Sequence, residues 1–106
     1  MKLDGFLRAI YMQPIGAVFN IEWESKLRIV ARLLSLYESE NGLELDDPAY
    51  EEYYSSAVTI LQILEQGPEH PGFEVGDSIE VNKQNPPSRI MLENGEVIWE
   101  IDSSPL

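Results

Sequence analysis

The chain has 106 residues, 43% of them hydrophobic and 25% charged, and 19 acids against seven Lys and Arg give a formal net charge of −12. That apolar share is too high for a disordered chain, and the length predicts one domain spanning residues 1–106, able to build a core without metal or disulfide. Cysteine is absent, which excludes disulfide scaffolds, thiolate nucleophiles and cysteine-ligated zinc.

The charge is uneven. Residues 1–45 hold six acids and five bases, whereas residues 46–106 hold thirteen acids with only Lys83 and Arg89 as bases. Nucleic acids and anionic membranes are bound by Lys and Arg set against phosphates, so both partner classes are disfavoured. A basic protein or a divalent cation is what such a surface attracts. Asp4 and Arg8 interrupt the apolar residues at the start, and no stretch approaches the ~20 apolar residues of a membrane span. The expected location is the cytoplasm.

In chain order, Leu3, Phe6, Leu7 and Ile10 fall at helical spacing over residues 3–12, and Pro14 ends that segment. Asn20 is an N-cap candidate for a second helix over residues 21–40, with a stripe of Trp23, Leu27, Val30, Leu34 and Tyr37. Ile29, Leu33 and Leu36 widen the stripe, and Asn41-Gly42 reads as its stop. Asp47-Pro48 reads as the start of a third helix that Gly67-Pro68 closes. Its core stripe is Tyr50, Tyr54, Ala57, Leu61 and Leu64, with Glu51, Ser55 and Thr59 toward water.

From residue 68 the period drops to two. Ile79 and Val81 alternate with polar neighbours, and Asn94-Gly95 between two apolar runs signals a hairpin. A two-residue turn there sets Glu93 opposite Glu96, Leu92 opposite Val97, Met91 opposite Ile98, Ile90 opposite Trp99 and Arg89 opposite Glu100. Ile90, Leu92, Val97, Trp99 and Ile101 then form the core face. The expected fold class is α+β, three helices followed by a three-stranded antiparallel sheet.

The inventory argues for binding rather than catalysis. His70, in Gly-Pro-Glu-His-Pro-Gly, is the only histidine, and no nucleophile elbow, phosphate-binding glycine loop or zinc spacing accompanies it. Tyrosines beside carboxylates are interface anchors. The expected contact set for a basic partner is therefore Tyr50, Glu51, Glu52 and Tyr53, with Glu80, Glu93, Glu96 and Glu100 on the strands. The alternative is a calcium-binding protein in which Glu38, Glu40, Glu44, Asp46 and Asp47 supply oxygen ligands from an interhelical loop. Glu38 and Glu40 suggest it, because anions are unfavourable at a helix C-terminus. In composition the chain resembles nuclease-colicin immunity proteins, which are small, acidic, helical and tyrosine-anchored. That likeness implies an inhibitor or immunity-type regulatory module; oligomeric state does not follow from it.

Overall fold

The computed structural model describes residues 4–68 and 72–101. A single short helix, α1 (Gly5–Tyr11), precedes six strands: β1 (Val18–Glu22), β2 (Arg28–Glu40), β3 (Glu52–Glu65), β4 (Ser78–Asn82), β5 (Arg89–Leu92) and β6 (Val97–Glu100). They form one antiparallel sheet in the order β4-β3-β2-β1-β5-β6. The expected α+β arrangement is overturned, for the second and third helices are the two longest strands. Asn20, read as a helix cap, lies within β1.

The cause of the misreading is visible in the register. Leu27, Ile29, Ala31 and Leu33 are buried while Arg28, Arg32 and Leu34 are exposed, the period of two of a half-buried strand. The pairing of β2 with β3 slips between Leu33 and Ser35, leaving Leu34 as an extra residue. It slips again where Val30 faces Gln62 but Ala31 faces Ile60, and where Arg28 faces Glu65 but Ile29 faces Ile63. Each bulge advances the core position by one. Core contacts therefore jump from Leu33 to Leu36 and from Ile60 to Ile63, the spacing of three that a helix also produces.

The register builds one apolar face. Phe19 opposes Ala31, Ile21 opposes both Ile29 and Ile90, Leu33 opposes Val58, and Val58 opposes Ile79. All are buried, and paired residues in an antiparallel ladder share a face. Phe6, Leu7 and Ile10 of α1 close this face, with Phe6 tilted against Trp99 at 5.9 Å between ring centroids.

The hairpin of β5 and β6 differs in detail from expectation. Gly95 has φ +89°, whereas Asn94 does not enter the left-handed region. The Leu92 N–H donates to the Glu96 carbonyl at 2.8 Å and the Gly95 N–H to the Leu92 carbonyl at 2.9 Å. This is a three-residue turn ending in a glycine bulge rather than a two-residue one. Arg89–Glu100 and Ile90–Trp99 pair as expected, but Met91 faces Val97, so Ile98 is bulged. Val97 is consequently 46% exposed while Ile98 packs on the core. The expected Glu93–Glu96 cross-strand pair does not form.

Gly67, in the link from β3 to β4, has φ +76°, and a Cβ there would lie 2.9 Å from the Leu27 nitrogen and the Ser25 carbonyl oxygen. Gly67→Ala combines left-handed strain with a backbone clash. It is expected to lower unfolding stability by about 2 kcal/mol or more, read from urea melts.

Candidate functional site

The β2–β3 hairpin outruns its neighbours. β1 pairs with β2 only over Arg28–Arg32, and β4 pairs with β3 only over Ser55–Thr59. Beyond Leu33, which exchanges backbone hydrogen bonds with Gly16 and Ala17, β2 pairs only with β3, and from Tyr54 to Glu52 β3 in turn pairs only with β2. The loop of residues 41–51 closes this end.

Most of the expected acidic residues gather here. Glu38 faces Tyr54 across the ladder and Glu40 faces Glu52, a like-charge pair at the open end. Glu38, Glu40, Glu44, Asp46, Asp47, Glu51 and Glu52 are all exposed. Since β2 is a strand, Glu38 and Glu40 sit at no helix terminus, and the dipole argument for a cation there does not apply. The loop is held by its own polar side chains. Asn41 donates to the Ala49 carbonyl at 2.8 Å, Glu40 Oε2 accepts the Gly42 N–H at 2.7 Å, and Asp47 Oδ1 accepts the Ala49 N–H at 2.8 Å. Asp47-Pro48 thus forms a turn instead of starting a helix.

Beneath the loop, Tyr53 is buried and its hydroxyl donates to the Glu40 carbonyl at 3.1 Å. Tyr50 is half-buried. Desolvation of its hydroxyl, followed by the charges of Glu52 and Glu40, raises its pKa above the ordinary tyrosine value. Lys83 forms an ion pair with Glu51, and that hydrogen bond raises the lysine pKa. Beside them lies a polar group that sequence reasoning missed. Ser55, expected to face water, is fully buried, and Asn82 is 5% exposed. The Asn82 amide donates to Ser55 Oγ at 3.2 Å and to Glu80 Oε2 at 3.3 Å, while its oxygen accepts the Gln84 N–H at 2.9 Å. Glu80 faces Ala57 across the β3–β4 ladder, and its carboxylate accepts from Ser55 at 3.5 Å as well as from Asn82.

The remaining expected contacts lie elsewhere. Glu93, Glu96 and Glu100 are on the β5–β6 hairpin, at the other end of the strand order, and Glu100 is paired with Arg89 at 2.8 Å. Arg28 and Arg89 are drawn to Glu22, Glu65 and Glu100, which offsets part of the negative charge at the end of the sheet opposite the acidic loop. His70 lies outside the described residues. Among the described residues no group of three or more His, Asp or Glu is arranged to hold a metal ion, and no helix is long and apolar enough to cross a membrane.

A protein-family model described as cognate immunity protein YxxD matches residues 1–103. No curated protein and no solved structure matches the chain.

Two measurements probe this region. Asn82→Ala leaves the Gln84 amide without its partner and Ser55 with only its 3.5 Å bond to Glu80, and is expected to lower stability by roughly 1–3 kcal/mol in chemical denaturation. A ligand bound only by the folded state raises the melting midpoint. With Glu40 and Asp47 already turned onto backbone amides, the expected midpoint is the same in millimolar calcium as in chelator, and a rise would place a cation in the loop.

Proposed function

This chain belongs to the cognate immunity protein YxxD family, and from that premise we propose that it binds and neutralises a cognate protein toxin without catalysing a reaction. The observation that carries the reading is the family match, which runs over residues 1–103. Charge supports a finer version, in which the toxin is basic at its contact surface and meets the acidic end of the β2–β3 hairpin. Glu38, Glu40, Glu51 and Glu52 are exposed there, and among the described residues Lys83 is the only base paired with any of them. Tyr50 and Tyr53 lie beneath that rim; Tyr53, buried and bonded to Glu40, holds the hairpin end in shape, so the contact itself falls to Tyr50 and the carboxylates.

The test is titration of the purified chain with its cognate toxin at several salt concentrations. Charge-steered association slows as the Debye length shrinks. Raising salt from about 50 mM to about 500 mM is expected to weaken binding by about tenfold or more, mainly through the association rate. The double variant Glu40→Gln with Glu52→Gln relieves a like-charge pair, so its melting temperature is expected to hold or rise while toxin binding weakens. Salt-independent binding, or a loss of binding that merely tracks a loss of stability, would remove the acidic surface from the reading.

A further inference from the structure

A sheet edge left unpaired exposes a row of backbone donors and acceptors, and folded proteins shorten, cap or cover such edges. Besides the ends of β3 that lie outside its pairing with β4, three are present among the described residues. The outer edge of β4 is capped by Asn85, whose side chain donates to the Glu80 carbonyl at 3.0 Å and whose backbone N–H donates to Asn82 at 2.9 Å. The outer edge of β6 is four residues long. The third is the side of β2 beyond Leu33, where β1 has ended.

Its hydrogen-bonding parity follows from the bonds on either side. The Leu33 N–H donates outward to Ala17, and the Asn41 N–H donates inward to Glu51 at 3.1 Å. Residues directed to β3 alternate with residues directed away. Ser35, Tyr37 and Ser39 therefore bond to β3, and Leu36, Glu38 and Glu40 turn their amides outward. The bulge at Leu34 produces the change of phase after Leu33. Of these outward groups, the Glu40 carbonyl is taken by Tyr53. The N–H groups of Leu36, Glu38 and Glu40 and the carbonyls of Leu36 and Glu38 have no cross-strand neighbour on that side among the described residues.

We propose that this edge receives an extended, basic segment of the toxin as a seventh strand, an inference that rests on the immunity reading above. Main-chain bonds would supply affinity, as in other strand additions. The edge's own charge sets the sign of the partner, since the Glu38 and Glu40 side chains are exposed and no described ion pair occupies them. Exposed Ile15 and Leu34, the chain neighbours of the hydrogen-bonded Gly16 and Leu33, offer apolar surface at the near end. A second copy is the wrong occupant. Antiparallel pairing of two such edges about Glu38 would set glutamate against glutamate, a destabilising arrangement.

Amide exchange resolved by residue tests the proposal on the intact protein. In the free chain, Leu36 and Glu38 amides are expected to exchange fast while Tyr37 and Ser39 are protected. Saturation with the cognate toxin is expected to slow Leu36 and Glu38 by about tenfold or more. A saturated complex in which these amides still exchange as in the free chain overturns the strand pairing and leaves the immunity reading intact. Failure of any complex to form overturns both. Protection already present in the free chain, together with a doubled mass, assigns the edge to a second copy and overturns the proposal. A pair of variants gives an independent readout. Glu38→Pro removes an outward N–H that the fold does not use, whereas Glu38→Gln removes only charge. Toxin affinity is expected to be about tenfold lower in Glu38→Pro than in Glu38→Gln, and equal affinities would overturn the proposal.

Discussion

The pairing of β2 with β3 is the constraint on which the rest of the molecule depends. These are the longest strands, and they occupy adjacent, interior places in the sheet order. β4 adds to one side of the pair and β1 to the other, and β5 and β6 are reached only through β1. The apolar face that α1 covers is laid out by the same register, since Leu33, Val58, Ala31 and Ile60 are its middle. Three bulges within one pairing bend and twist the two strands and place Leu34 and Leu64 on the outside, each 44% exposed.

The same bulges explain how much of the fold was legible in the sequence. Where strands are short and regular the pattern was readable: Ile79 and Val81 alternate in β4, and Arg89–Glu100 and Ile90–Trp99 face each other in the last hairpin. Phe6, Leu7 and Ile10 also read correctly, because a short helix lying over the sheet keeps its own period. In β2 and β3 an inserted residue changes a spacing of two to one of three, and single-chain periodicity cannot separate that from a helix turn. Turn chemistry deepened the ambiguity. Asn41-Gly42, Asp47-Pro48 and Gly67-Pro68 punctuate a chain equally well whether they end helices or strands, and only β-branched runs such as Val58-Thr59-Ile60 pointed the other way.

The candidate site was legible in part, for reasons of the same kind. Carboxylate density between residues 38 and 52 is a property of composition, and it survives a wrong assignment of secondary structure. Ser55 and Asn82 carry no such signal, since their burial arises from strands distant in sequence that bring them to 3.2 Å. The outward edge of β2 was invisible as well, because an edge is defined by where the neighbouring strand stops. The immunity-type expectation came from composition, and the helical character that accompanied it was wrong; the family match supplies what composition could not.

The separation of paired from unpaired charge has a consequence for motion in solution. Both arginines at the foot of the long hairpin are matched by Glu22, Glu65 and Glu100, whereas the distal loop carries its carboxylates with little compensation. Among the described residues, negative charge is therefore densest at the tip of the longest structural arm, which adds a dipolar component to the net charge. In the field of a cationic body such a dipole feels a torque as well as an attraction. It rotates tip-first before any surfaces touch, so the encounter samples far fewer orientations than two uniformly charged spheres would.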